Sequence, residues 1–144
     1  MDNAVKAVES TMKFRGYRAT RIFFELKSPS KRPEGPVTFT PSFFQRIEKV
    51  KNDDYVLILS VDIGKDEVNL PFIASVEMEG RFELNNIDNP EEVMRINATA
   101  ILFPYLRSAL TQLTATANIR PVILPTINLA QTFESCNKPI SDKE

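Results

Sequence analysis

The chain has 144 residues, of which 42% are hydrophobic and 26% charged, a composition typical of one globular domain and unlike that of a disordered protein. Its 18 basic and 19 acidic residues leave a net charge of −1, which predicts neither nucleic-acid nor anionic-membrane binding. The sequence contains no histidine, which excludes Ser-His-Asp catalysis and His-ligated metals. Its single cysteine, Cys136, excludes a structural zinc site and an internal disulfide.

The ends of the chain are predicted to lie outside the folded domain. Residues 1–11 are expected to form a flexible arm, and they lack the charged and apolar regions of a secretory signal. No apolar run is long enough to cross a bilayer, and the single thiol is typical of a reducing compartment, so we expect a cytoplasmic protein without membrane insertion. One domain is expected over 12–136, followed by a polar tail over 137–144.

The first part of the domain is rich in β-favouring residues. Between Met12 and Leu26 the aromatic residues fall on both parities, which indicates either a bulge that shifts the phase or burial on both faces. A proline-rich loop follows over 28–36. Residues 37–47 are then predicted to be extended, with Pro41 excluding a central strand.

Two later segments show the alternation of half-buried strands. Over 55–63 the odd positions are apolar, and a Gly64-Lys65-Asp66 turn predicts a hairpin to the next strand. Over 70–84 every even position is apolar or glycine and the odd positions are mostly polar. This pattern predicts a strand with one covered face and one solvent-exposed face.

The period then changes to that of helices. Asn89 followed by Pro90 predicts a helix start, and Pro104 should break or restart the helix. A packed loop is expected over 118–128 and a short final helix over 129–136. The sequence therefore predicts an α+β fold: a four-stranded antiparallel sheet of Greek-key type with two C-terminal helices on one face.

The segment ILFPYLR at 101–107, followed by the proline-bearing loop LPTINL at 124–129 and by Phe133, resembles the SecB family of protein-export chaperones. The upstream strands resemble the family too, and the likeness covers about 12–133. It implies a cytoplasmic, ATP-independent, non-enzymatic chaperone that needs no cofactor or metal. Such proteins assemble as a homotetramer, a dimer of dimers, keep unfolded precursors translocation-competent and pass them to the SecA motor.

The resemblance also implies functional surfaces. The client groove would form between the crossing segment, the sheet and the last helix, at positions that match Val37, Phe39, Phe43, Leu129 and Phe133. The residues themselves leave an alternative open, because these rings could instead close the core under a crossing loop. The polar outer side of the long helix offers a surface for self-association, with Tyr105, Ser108 and Gln112 as candidates.

The SecA-docking surface implied by the resemblance is altered in this sequence. Glu25 and Ile73 fit the family pattern, whereas Arg21 and Ser75 replace acidic residues, which should weaken attraction to a basic partner. Glu77 and Glu79, further along the same face, are expected to compensate. The alternative partner is an antitoxin, as for the solitary SecB-like chaperones of toxin–antitoxin systems.

Two pairs of acidic residues raise the question of an enzymatic function. The carboxylate pairs Asp53-Asp54 and Glu77/Glu79 could serve acid–base catalysis, but they are better explained as a solvated turn and an exposed strand face. We therefore expect no enzyme. A non-chaperone structural subunit of an oligomer remains the alternative of another class.

Overall fold

The computed structural model of the protein describes residues 4–6, 11–28, 38–134 and 141–142. Most of the predicted N-terminal arm and C-terminal tail lies outside these residues, as does Cys136. The domain boundaries at 12 and 136 therefore stay a prediction.

Four long antiparallel strands form the sheet: β1 (Met12–Leu26), β2 (Ser42–Lys51), β3 (Asp54–Ile63) and β4 (Phe72–Leu84). Their spatial order is β1-β4-β3-β2, so three strands follow one another through turns and β1 lies beside the last of them. This Greek-key arrangement confirms the predicted sheet. A strand of two residues, β5 (Ser141–Asp142), adds to β2 in parallel. It was not predicted, because so short a polar segment shows no hydrophobic periodicity.

β1 changes phase twice along its length. Its register against β4 shifts once just before Tyr17 and once more just before Ile22. Each shift inserts one residue and reverses the parity of the strand. Phe14, Tyr17 and Ile22 consequently lie on one face, whereas Phe23 lies on the other. The bulge that the sequence indicated is confirmed, with two phase shifts rather than one.

The helical region begins with α1 (Pro90–Val93), continues through a π-helical turn (Met94–Ala98) and ends with α2 (Thr99–Thr116). The predicted start is confirmed, but Asn89 does not cap a backbone amide. Its backbone is left-handed, with φ 54°, and its side-chain amide instead donates to the Glu92 carboxylate at 3.1 Å.

Pro104 lies inside α2, so the predicted break at this residue is wrong. A proline leaves the carbonyl one turn earlier without a helical amide partner. That carbonyl belongs to Ala100, and both residues are exposed, so water can bond to it. The irregularity falls earlier, in the π-helical turn, where the Thr99 hydroxyl donates to the carbonyl of Met94 at 3.2 Å.

α2 packs on one face of the sheet, here called the helix face; the opposite face is called the outer face. At Gly80 a Cβ would come within 3.2 Å of the Leu102 side chain, so glycine permits the close approach of α2 to β4. The helix face is formed by the alternating apolar residues of β3 and β4, as predicted. The fully buried side chains of this core include Leu57, Leu59, Phe72, Phe82, Leu102, Leu106 and Leu110.

The outer face is less exposed than the alternation in β4 predicted. Ser75 and Glu79 were expected to face solvent, but both are buried. Long side chains of β1 reach across to them, which the spacing within β4 alone does not reveal.

Residues 118–128 form the packed loop that was predicted. Two threonines of α2 hold Val122 by both of its backbone groups: its amide donates to Thr114 Oγ1 at 2.8 Å, and its carbonyl accepts from Thr111 Oγ1 at 2.8 Å. The loop is thereby fixed on α2 with its apolar side buried.

The last helix, α3 (Leu129–Thr132), is shorter than the predicted helix over 129–136. Asn128 caps it, since its side-chain oxygen accepts from the amide of Gln131 at 3.0 Å. The stretch 135–136 falls outside the described residues. Within the residues that are described, no helix is both long and apolar enough to cross a membrane.

Candidate functional surfaces

An aromatic cluster on the helix face joins the elements that were predicted to form the client groove. The ring of Phe43, in β2, lies 5.9 Å from the ring of Phe103, in α2, and 6.2 Å from the ring of Phe133, which follows α3. These three residues are called the Phe43 cluster. Phe133 is fully buried, whereas Phe43 is half-buried. The cluster therefore has a closed floor and a partly accessible rim.

The other predicted groove residues either pack against the core or fall outside the described chain. Phe39 and Leu129 are half-buried and pack against the core. Val37 falls outside the described residues. Phe133 is fully buried with the Phe43 ring of β2 against it, so its own ring does not form part of the accessible rim. It supports Phe43 from below instead.

A hydrogen-bond network holds the walls of this region together. The side-chain amide of Gln45, in β2, donates to Thr99 Oγ1 at 2.6 Å and to the carbonyl of Arg95 at 3.0 Å. The Arg95 guanidinium in turn donates to the carbonyl of Ala130, in α3, at 3.3 Å. Sequence reasoning missed Gln45, although a glutamine at a helix-facing position among apolar neighbours was the available signal.

The predicted docking positions Glu25, Ile73, Ser75 and Glu77 all lie on the outer face, where Glu25 is opposite Ile73 across the β1–β4 pair. Glu25 is exposed, and Ile73 and Glu77 are partly so. Ser75 is buried, and its assignment to an accessible docking surface is therefore wrong. The side chain of Arg21 covers it, with Nε donating to Ser75 Oγ at 3.0 Å.

Arg21 is the centre of a charged network. The Ser75 hydroxyl donates to Asp62 Oδ1 at 2.5 Å. The guanidinium of Arg21 lies 3.9 Å from the same Asp62 oxygen and 3.8 Å from Glu77 Oε1. One cation thus lies between two carboxylates, so Glu77 is paired with Arg21 and restores only part of the acidic surface that the substitution at Arg21 removes.

Two more arginines of β1 hold glutamates of β4. Arg18 Nε donates to Glu79 Oε2 at 2.7 Å, and Arg15 donates to the carboxylate of Glu83. The Arg15 hydrogen bond lowers the pKa of the Glu83 carboxyl below its ordinary value. These pairs could not be found from spacing alone, because the two bulges of β1 interrupt its period of two.

The residues predicted for self-association lie on the exposed side of α2. The ring of Tyr105 stacks on that of Tyr17, in β1, at a centroid distance of 4.1 Å. Gln112 donates to Ser108 Oγ at 3.4 Å. Beside them runs a shallow groove of about 470 Å³, bordered by Ile123, whose exposed fraction is 61%. This side of α2 offers both apolar and hydrogen-bonding contacts.

A family model for the preprotein translocase subunit SecB matches residues 17–138, from within β1 to beyond α3. The chain belongs to the SecB family. The resemblance carried by the 101–107 segment is thereby confirmed. Members of the SecB family and of the SecB-like fold are non-enzymatic chaperones, so the prediction that this chain is not an enzyme is confirmed as well. Among the described residues, no group of three or more Asp, Glu, His or Cys side chains is placed to hold a metal ion.

Two curated relatives of this SecB-family chain differ in how much of their length it covers. It is 36% identical over 125 residues to the uncharacterized protein MJ0357 of Methanocaldococcus jannaschii, with 83% of this chain and 80% of that protein aligned. It is 32% identical over 94 residues to the protein-export protein SecB of Saccharophagus degradans, with 61% of this chain and 55% of that protein aligned. The chain thus matches about half of that SecB.

Among solved structures, this SecB-family chain is similar to the SecB-like chaperone Rv1957 of Mycobacterium tuberculosis, in complex with a ChAD peptide from the Rv1956 HigA1 antitoxin. The TM-score is 0.66 at 17% identity, over 81% of this chain and 90% of that one. The likeness confirms the predicted SecB-like fold.

Proposed function

We propose that this protein is an ATP-independent chaperone that holds unfolded or precursor polypeptides in an apolar groove in the cytoplasm. The observation that carries the proposal is the Phe43 cluster, with half-buried Phe39 and Leu129, in a chain of the SecB family. Membership of a chaperone family supports the chaperone role, and the partly accessible apolar rim supports the position of the client groove.

The proposed mechanism is binding without chemistry. Burying one apolar side chain of an extended client contributes at most about 1.5–3 kcal/mol before the loss of chain entropy is counted. Tight holding therefore requires several weak contacts along one client. Because such pockets recognise apolar and extended chain rather than sequence, we expect a broad range of clients.

We propose that the assembly is a homotetramer, a dimer of dimers, because two surfaces need covering. β1 is an edge strand among the described strands, and on its helix face Ile22 is 59% exposed. Tyr105, Ser108 and Gln112 on α2 provide a second surface. A tetramer would place several grooves on one particle and raise the effective concentration of binding sites along a client.

Two downstream roles remain as proposals. One is to keep precursors competent for Sec-dependent export and deliver them to SecA. The other is to protect an antitoxin as a solitary chaperone. The Arg21 network supports this role, since the exposed guanidinium offsets part of the negative charge that a basic SecA tail would meet.

Suppression of client aggregation tests the chaperone role. We expect stoichiometric protein, without ATP, to keep a denatured client soluble. If an excess of the intact oligomer leaves aggregation unchanged, the protein is a structural subunit instead.

Titration with a C-terminal peptide of SecA separates the two downstream roles. A measurable binding heat at low salt supports the export role. No heat under the same conditions, together with capture of an antitoxin segment, supports the toxin–antitoxin role.

A further inference from the structure

The charged side chains of the outer face differ in depth according to their sign. Among the described residues, the arginines that form ion pairs on this face are Arg15, Arg18, Arg21 and Arg46, and their side chains are between 45% and 70% exposed. The carboxylates that they meet belong to Glu83, Glu79, Asp62, Glu77 and Glu48, and these are only 6% to 28% exposed. A molecule that approaches this face meets guanidinium groups first, although cations and anions are both abundant.

The guanidinium groups are concentrated around the first bulge of β1. A depression of about 360 Å³ is lined there by Arg15, Gly16, Tyr17, Arg18, Glu79 and Arg81. Arg81 is exposed and forms no ion pair within the described part of the chain. Gly16 has φ 125° and no atom within 4 Å of where a Cβ would stand, so the depression is open above the bulge.

The chemistry of these groups identifies the ligand that they fit. A guanidinium has five N–H donors in a planar fork, and one neighbouring carboxylate leaves several of them unused. Carboxylates pair with such forks through two parallel hydrogen bonds.

We propose that the outer face around Arg15, Arg18 and Arg81 docks an acidic, extended segment of a partner protein. The partner's carboxylates bind to the guanidinium groups, with Arg81 and the exposed edges of Arg15 and Arg18 as the donors. A basic partner is disfavoured, because the carboxylates that it would need are covered by arginines. A nucleic acid is disfavoured too, because Glu79 and Glu83 lie among the arginines and repel closely spaced phosphates. The surface is separate from the Phe43 cluster, so the proposal stands independently of the client groove.

Fluorescence anisotropy with three probes tests the proposal: a labelled peptide of alternating Glu and Ser, its counterpart with Lys in place of Glu, and a single-stranded oligonucleotide. We expect the Glu peptide to bind more tightly than either other probe, with an affinity that falls as salt is added. Tighter binding of the Lys peptide, or of the oligonucleotide, overturns the proposal.

Variants locate the binding. Arg81→Glu should lower the affinity for the Glu peptide by about tenfold or more, and Arg81→Ala should lower it by about threefold. The control is Arg120→Glu, the same charge change in the loop on the helix side, which should change this affinity less than about twofold. Glu79→Gln should strengthen binding, because it releases donors of Arg18. Equal effects at positions 81 and 120 contradict the proposal. Aggregation suppression by each variant shows separately whether the client groove is intact.

Discussion

On the helix face, alternate apolar residues of β3 and β4 are buried under α2, whereas the outer face is covered by arginines of β1 that reach across to carboxylates of β4 and β3. Apolar burial is non-directional, so its spacing in the sequence suffices to predict it. Charge pairing depends on which residues of two strands lie opposite, and therefore on bulges. Truncations in the core under α2 should therefore lower stability, whereas charge changes on the outer face should alter the binding of charged partners.

The largest expected effect is a core truncation on the helix face. Leu106 is fully buried in α2, and Leu106→Ala should lower the free energy of unfolding by about 2–5 kcal/mol because it leaves a cavity. Ser108→Ala, on the exposed side of the same helix, is the control and should change it by less than about 0.5 kcal/mol. Urea unfolding measures both, and equal losses would contradict the division between core and surface.

A second test concerns the polar contact within the helix face. Gln45→Ala removes the donor to Thr99 and to the Arg95 carbonyl, and should destabilise the fold by about 1–3 kcal/mol. The matched control is Gln131→Ala, which removes an exposed glutamine from α3. If both variants unfold at the same urea concentration, Gln45 does not hold β2 to the π-helical turn.

On the outer face we expect binding to change more than stability. Arg21→Ala leaves Asp62 and Glu77 without their shared cation, and these groups are partly exposed, so the loss of stability should stay below about 1 kcal/mol. Affinity for a basic SecA tail peptide should rise about threefold at low salt. Calorimetry with Arg120→Ala as the charge-matched control checks this, and a rise common to both variants would indicate net charge alone.

The smallest expected effect is a pH dependence at Glu83. The Arg15 hydrogen bond lowers its pKa in the folded state, so its stabilising contribution is present above the unfolded pKa and is lost as pH falls through the folded pKa. In the Glu83→Gln variant, the free energy of unfolding should fall less steeply as the pH is lowered into the acidic range. Glu134→Gln, at an exposed position, should leave the steepness of this fall unchanged; identical profiles for all three proteins would refute the role of the pair.

Sequence reasoning was strongest where one periodic pattern decided the structure. The alternation over 70–84 predicted β4 and its covered face, and Asn89-Pro90 predicted where the helices begin. The ILFPYLR segment was specific enough to indicate the SecB family. These features are local, and burial of their apolar side chains is independent of the precise partner.

Prediction from the sequence failed where the structure depended on contacts between residues distant in the chain. Pro104 was expected to interrupt the helix, but the Ala100 carbonyl that it leaves without an amide partner belongs to an exposed residue. Ser75 was placed on an accessible surface, and only the register of β1 shows that Arg21 covers it. Phe133 was predicted to line the groove, and its burial involves the ring of Phe43, which is 90 positions earlier in the chain. No single segment contains this information.

The most direct test of the proposed client groove is the affinity for a permanently unfolded client, measured by anisotropy for the wild type, Phe39→Asp and Phe44→Asp. Phe39 is one of the proposed groove residues and is half-buried against the core, whereas Phe44 follows Phe43 in β2 and lies on the outer face, 46% exposed. The account predicts that Phe39→Asp weakens client binding by about tenfold or more while Phe44→Asp changes it less than about threefold, with both oligomers intact. Equal affinity of all three proteins, or a loss confined to Phe44→Asp, would contradict it.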